Sequence, residues 1–199
     1  MIITYLIGNS LYVNVTNRCT NRCTFCIRNT LGGIGEGIDL WLNREPSVNE
    51  IIASIKNRDL KEYQEIVFCG YGEPIIRFYD IMEVCRSIKK DSDIPIRINT
   101  NGHANEIHGK DITPLMKGLV DTISISLNAR NAEEYEKICL CDYGEQGFYI
   151  MLDFAEKSKH HVNEVILSVV DILPPDDIKE CSEIAERLGV TFRVRKYNE

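Results

Sequence analysis

Six strand-like runs alternate with helical segments along this chain, and that alternation restricts the fold more than any single residue does. The runs cover residues 11–15, 65–69, 95–99, 121–127, 164–170 and 191–194. Ser47 is placed to cap a first helix, with Glu50 at the capping-box position and Val48, Ile51, Ile52 and Ile55 as its apolar stripe. Further helices are expected over 78–88, 111–117 (short), 132–138, 148–157 and 176–188. An earlier run over 2–6, joined through Gly8-Asn9-Ser10, reads as a hairpin or an extended lead-in. Strands alternating with helices imply a parallel sheet with right-handed crossovers. Six such units give an open doubly wound sheet or a partial barrel, and in either the chemistry sits at the carboxyl ends of the strands. The length of 199 residues is material for one domain spanning 1–199.

Four unusual segments directly follow these runs. The first is Cys19-Thr20-Asn21-Arg22-Cys23-Thr24-Phe25-Cys26. Three thiolates in one short loop can converge on a soft metal centre. A cubane iron–sulfur cluster normally takes four thiolates, so three leave one iron open for a ligand. The competing reading is a structural zinc, for which His103 or His108 could be a fourth ligand. The other three segments are Gly70-Tyr71-Gly72-Glu73-Pro74, Thr100-Asn101-Gly102 and the strand end at Ser126 and Asn128. Each also has a plain reading as turn chemistry. All four would face one mouth.

Composition narrows the setting. Eight cysteines exceed the need of one cluster. Cys69, Cys85 and Cys181 fall among apolar positions and read as small buried hydrophobes. The net charge of −7 disfavours broad nucleic-acid binding, which needs clustered basic surface. No run reaches membrane-spanning length and the start has no signal-peptide pattern, so no membrane partner and a cytoplasmic location are expected. The glycine-rich stretch over 30–37 can turn or pass close to a ligand, but it lacks the P-loop pattern.

The spacing C-x3-C-x2-C over Cys19, Cys23 and Cys26, with Phe25 before the last cysteine, resembles the signature of the radical S-adenosylmethionine (radical SAM) superfamily. Gly72-Glu73-Pro74 is similar to the end of its glycine-glycine-glutamate-proline motif, with Tyr71 in place of a glycine. Asn99-Thr100-Asn101-Gly102 and Ser124-Ile125-Ser126-Leu127-Asn128 resemble its third and fourth strand ends. The resemblance implies an α/β fold of the partial (β/α)6 barrel type, six mainly parallel strands with helices outside. It implies a [4Fe-4S] cluster on Cys19, Cys23 and Cys26, whose open iron binds the amino and carboxylate groups of S-adenosylmethionine. Reductive cleavage then yields a 5′-deoxyadenosyl radical that abstracts hydrogen from a substrate. Phe25, Gly70, Gly72, Glu73, Asn101, Ser126 and Asn128 are the implied cofactor contacts, with the backbone at Val169 and Val170 a further edge for the adenine. A reductant such as flavodoxin or ferredoxin is implied as a partner. The stretch from Arg28 to Gly37, with Asp39-Leu40-Trp41-Leu42, resembles a short subgroup encoded beside or fused to TatD-type metal-dependent nucleases, which makes such a nuclease a candidate partner.

The substrate is left open among a small molecule, a protein and a nucleic acid, and no catalytic residue is assigned. Arg193 and Arg195 alternate with Phe192 and Val194, so one pair points inward. Inward arginines suggest a phosphate or carboxylate on the substrate; the competing reading is an outward, solvated pair. Trp41 reads as core before ligand platform. His103, His108, His160 and His161 sit in polar surroundings and read as surface. Cys139 and Cys141 read as an auxiliary metal site, a redox pair, a substrate contact or plain buried residues. The alternatives to an enzyme are a non-catalytic zinc- or cluster-carrying binding or assembly protein, and a scaffold active only with a TatD-like partner.

Overall fold

A computed structural model describes residues 1–29 and 38–197; the glycine-rich stretch over 30–37 lies outside the described residues. One seven-stranded sheet runs in chain order: β1 (Thr4–Ile7), β2 (Ser10–Val13), β3 (Glu65–Phe68), β4 (Ile96–Thr100), β5 (Thr122–Ser126), β6 (Glu164–Val170) and β7 (Thr191–Arg195). β1 and β2 form an antiparallel hairpin, and every later neighbour pairs in parallel. The six expected parallel strands are therefore present, and the lead-in is a true seventh strand on the edge. Each parallel step is made through a helix or helical turn, as parallel pairing requires. The helices are α1 (Val48–Lys56), α2 (Phe78–Lys89), α3 (Ala104–Ile107), α4 (Ala132–Cys139), α5 (Gln146–Ser158) and α6 (Pro175–Leu188). The expected short helix near 111–117 is a 3-10 turn, Thr113–Met116.

Period-two alternation divides the sheet into two unlike faces. Leu11, Val13, Ile66, Phe68, Ile98, Ile123, Ile125, Leu167 and Val169 join the helices in one apolar core. The opposite, inner face is polar. In register across the strands it carries Tyr12, Val67, Arg97 and Thr122, then Asn99, Ser124, Ile166 and Thr191, then Ser126, Ser168 and Arg193. A partial barrel has this distribution: the apolar side is sealed by helices and the inner side is free to meet a ligand.

Helix starts follow their sequence signals. Ser47 accepts from the Glu50 N–H while the Glu50 carboxylate accepts from the Ser47 N–H, the reciprocal capping box expected. At the amino ends of the strands Asp121 joins three of them. Its carboxylate accepts from the Ile96 N–H and from Lys89 Nζ, both at 2.8 Å, and its carbonyl accepts from the N–H groups of Asn163 and Glu164. Asp121→Ala should lower unfolding stability by about 1–2 kcal/mol, because a strand N–H and an ammonium lose one acceptor. Urea unfolding checks this, and a variant as stable as the parent would show that water replaces the carboxylate.

Candidate functional site

The cysteine loop is built on the end of α4. A helix leaves its last carbonyls without partners. Here the Thr24 N–H donates to the Ile138 carbonyl and the Arg22 N–H to the Cys139 carbonyl, both at 2.9 Å. Leu140 turns the chain out of the helix in the left-handed region at φ 46°, and the Asp142 N–H returns to the Thr20 carbonyl. Cys26 and Asn29 then close successive turns onto the carbonyls of Cys23 and Cys26. Cys19, Cys23 and Cys26 are half-buried free thiols. Burial and the neighbouring Glu73 charge push the Cys19 thiol up to about 12. Burial also raises Cys26. Cys23 is drawn down, first by a hydrogen bond from the Cys139 thiol. The Arg28 guanidinium, which donates to the Asn21 carbonyl, favours the thiolate at all three.

The β3 loop is pressed against the segment leading into these cysteines. A side chain at Gly72 would meet the carbonyls of Thr16 and Arg18 at 2.3 and 2.6 Å, and one at Gly70 would meet the Asn14 side chain at 2.2 Å. Only glycine permits this approach. The Glu73 N–H donates to the Arg18 carbonyl at 2.7 Å and seals it. The Glu73 carboxylate is buried and turns towards β4. One oxygen accepts from the Ile75 N–H and the Thr100 hydroxyl, the other from the Asn101 N–H. Glu73 therefore spends its hydrogen-bonding capacity on joining the β3 and β4 loops. Burial nevertheless pushes its carboxyl up to about 7.

Asn101 extends the connection to the cysteine loop. Its amide donates to Thr20 Oγ1 at 2.8 Å and to Asn21 Oδ1 at 3.4 Å, and its oxygen accepts from the His103 N–H. His103 is fully buried, which corrects its reading as a surface residue. Its ring nitrogens lie 3.1 Å from Thr20 Oγ1 and Tyr135 Oη and 3.2 Å from the Gly147 carbonyl. Burial holds it at about 4, so it is neutral at neutral pH. Asn21 donates to Tyr135 Oη and closes the network. Sequence reasoning does not single out Thr20, Asn21 or Tyr135 as site residues, and it offers His103 only as a fourth zinc ligand or a surface residue. Asn101-Gly102 turn chemistry gave no sign of a buried histidine two residues on.

Ser126 is half-buried at the end of β5, across from Ser168. Both the Leu127 and Asn128 N–H groups reach the Ser168 carbonyl, and this leaves Asn128 at φ 58°. Asn128 is buried; its Nδ2 lies 3.9 Å from Cys139 Sγ and its Oδ1 has no partner. Phe25 is half-buried in the turn between Cys23 and Cys26. Val169 and Val170 are buried at the end of β6. Cys85 and Cys181 lie in the apolar core as expected, whereas Cys69 directly follows β3 and lies outside that core, with its thiol bonded to Asn99. Trp41 is 47% exposed and stands edge-on to Tyr71 at 5.2 Å, which corrects its reading as core. Tyr71 itself is buried with Tyr5 and Leu40 in a small second cluster. His108, also read as a surface residue, is half-buried and bonded to the Ile75 carbonyl. Cys139 and Cys141 are both buried, on Cys23 and His103 respectively.

The donor set fits a three-thiolate cluster with an open position. Three half-buried thiols share one loop, Arg28 favours their thiolates, and the unpartnered Asn128 Oδ1 lies close behind Cys139. Among the described residues no three His, Cys, Asp or Glu side chains already stand as a cage, and the Cys23 thiol is held by Cys139. His103 is committed at both ring nitrogens and is poorly placed to complete a zinc site.

Comparison with known proteins agrees with this arrangement. The family model described as the Radical SAM superfamily matches residues 13–188. A GTP 3′,8-cyclase of Corynebacterium glutamicum is 30% identical over 181 residues, covering 84% of this chain and 45% of its own length. The chain thus spans less than half of that curated relative. Among solved structures, Streptococcus suis SuiB bound to its precursor peptide SuiA superposes with a TM-score of 0.65 at 16% identity, covering 95% of this chain and 39% of SuiB. A radical SAM methyltransferase of Sphaerobacter thermophilus gives 0.60 at 16%, covering 97% and 57%.

Glu73 generates a pH prediction. Its folded value of about 7 lies above the ordinary 4.5, so the folded state holds the proton more tightly than the unfolded chain. The stability it contributes is complete below pH 4.5 and is lost as pH rises towards 7. Unfolding free energies across that window should show a falling component that Glu73→Gln lacks. At pH 5 the variant should be about 1–3 kcal/mol less stable, because its amide faces the Asn101 N–H. Identical pH slopes in the two proteins would show that the donors keep Glu73 ionised throughout.

Proposed function

The chain belongs to the Radical SAM superfamily, and we propose that it is an enzyme that cleaves S-adenosylmethionine reductively for hydrogen abstraction from a substrate. The superfamily's cofactors are a [4Fe-4S] cluster and S-adenosylmethionine. When bound, they supply the electron and the 5′-deoxyadenosyl radical. The observation that carries the reading is the convergence of the Cys19–Cys23–Cys26 loop with the β3 and β4 loops through Gly72, Glu73 and Asn101.

In this reading Cys19, Cys23 and Cys26 hold the cluster, and Arg28 keeps them as thiolates. The backbone at Gly70 and Gly72 faces the methionyl amino group. Glu73 fixes that backbone through β4 and leaves the contact to the main chain. Asn101 fixes the loop between Cys19 and Cys23. Ser126 and Asn128 offer hydroxyl and amide groups to the ribose, and Asn128 Oδ1 is the acceptor still unused. Phe25, beside Cys26, packs against the adenine, and the β6 backbone at Val169 and Val170 borders it. A reductant such as flavodoxin or ferredoxin delivers the electron.

The substrate stays open. One relative is named for a cyclisation of GTP and one structural neighbour binds a peptide, so likeness at this level does not choose between a small molecule and a protein.

Anaerobically reconstituted protein should show a [4Fe-4S] spectrum and form 5′-deoxyadenosine with dithionite. Alanine at Cys19, Cys23 or Cys26 should abolish both. Cys141→Ala should retain the cluster, since the Cys141 thiol packs on His103. A well-folded, fully loaded protein that forms no 5′-deoxyadenosine would overturn the proposal.

A further inference from the structure

The inner face of the sheet carries positive charge that no ion pair among the described residues neutralises. Val170 and Arg195 are register partners, as are Ser168 and Arg193, and Ser168 pairs with Ser126. Arg193 and Arg195 therefore share the face of the β5 and β6 polar residues, which excludes the reading of a pair on the helix side. Arg193 is exposed. Arg195 is half-buried, and its Nε is buried without a hydrogen-bond partner. Its titratable neighbours come from three other strands or strand ends: Tyr12 of β2, Cys69 after β3 and Arg97 of β4, besides Arg193 of β7.

The Glu65 carboxylate on this face is already committed. Glu65 takes Arg97 in a fork, at 2.7 and 3.0 Å, and Arg97 also bonds Asn99 and Tyr12. Glu164, on the same face, lies at the amino end, exposed and bonded to Thr191. Among the described residues neither Arg193 nor Arg195 has an ion-pair partner. Burial, and then repulsion from Arg193 and Arg97, hold the Arg195 guanidinium below its ordinary value, with Cys69 and Tyr12 pulling the other way. A cation drawn out of water without a counter-charge is costly. A guanidinium is also the side chain best shaped to take carboxylate or phosphate oxygens.

We propose that Arg195, with Tyr12 and the Glu65-anchored Arg97 beside it, forms an anion site on the inner face of the barrel that binds an anionic oxygen group of the substrate. The site lies on the same face as Ser126. A phosphate and a carboxylate share this chemistry. The inference rests on the proposed reaction for calling the ligand a substrate; the anion site itself does not depend on that reaction.

The test is calorimetric titration of the reconstituted protein, loaded with S-adenosylmethionine, with pyrophosphate and separately with succinate. At least one probe should bind saturably, and which of them binds more tightly assigns the group. Arg195→Gln should weaken that binding about tenfold or more, and Arg195→Lys by less. Arg58→Gln, at an exposed position away from this face, should leave it unchanged, and circular dichroism checks that each variant folds. Absence of saturable binding by both probes, or equal affinity in parent and Arg195→Gln, would overturn the proposal. So would an Arg195→Gln protein that loses S-adenosylmethionine binding alone, since the arginine would then serve the cofactor. If anion binding through Arg195 persists where no 5′-deoxyadenosine forms, the proposed reaction fails and the anion site stands.

Discussion

A buried carboxylate holds the mouth of this barrel together. Glu73 has no counter-ion among the described residues; three donors from its own loop and from the β4 loop surround it. Burial opposes its charge while the donors favour it, and burial is the larger effect. The arrangement persists because each donor would be stranded without it. The Ile75 and Asn101 N–H groups sit at loop positions where no strand ladder can satisfy them, and an unsatisfied buried N–H costs about 1–3 kcal/mol. The β3 and β4 loops are therefore fixed relative to each other by one side chain. Gly72, with no side chain, fixes the β3 loop against the segment before Cys19. Three loops that are remote in sequence become one rigid rim.

The same rim explains why the cysteine loop needs so many polar partners. Its backbone makes no strand ladder, so its N–H groups must be met elsewhere. The end of α4 supplies two carbonyls that would otherwise be orphaned. Thr20 and Asn21, between the first two cysteines, are met by Asn101, His103 and Tyr135. Because His103 is neutral, it can accept at one nitrogen and donate at the other. The loop is held by the β4 loop on one side and by α4 on the other, with its three thiols half-buried between them.

Much of this was legible in the sequence because it rests on local rules. Strand and helix periodicity placed the six parallel strands, and Ser47 with Glu50 marked a helix start that proved to be a full capping box. Motif positions after strands placed the cysteines, Gly72, Glu73, Asn101 and Asn128 around one mouth. What was illegible depends on contacts between distant segments. His103 and His108 looked like surface residues because their sequence neighbours are polar, yet their partners come from elements that only the fold brings near. Trp41 looked like core because tryptophan usually is, but Tyr71 fills that position and leaves Trp41 at its edge. Tyr71, where the family motif carries a glycine, is thus an anchor for the chain returning at Leu40. The direction of Arg193 and Arg195 could not be read from alternation alone, because period two gives two faces and only the register with β6 chooses between them.

The two unlike ends of the inner face belong to one design. Near the cysteines, what is left over is acceptor capacity: the side-chain oxygens of Asn128 and Asn14. Towards Tyr12 and Arg97, what is left over is donor capacity and positive charge on Arg195. A ligand carrying cationic or hydroxyl groups suits the first region and one carrying anionic oxygens suits the second. Cys23 stands at the boundary of the first, held by Cys139 through a bond between two soft, weakly donating sulfurs. Such a bond is far weaker than thiolate–iron coordination. Cys23 is therefore kept in place without being locked, while the N–H groups of Arg22 and Thr24 on either side of it are tied to the end of α4.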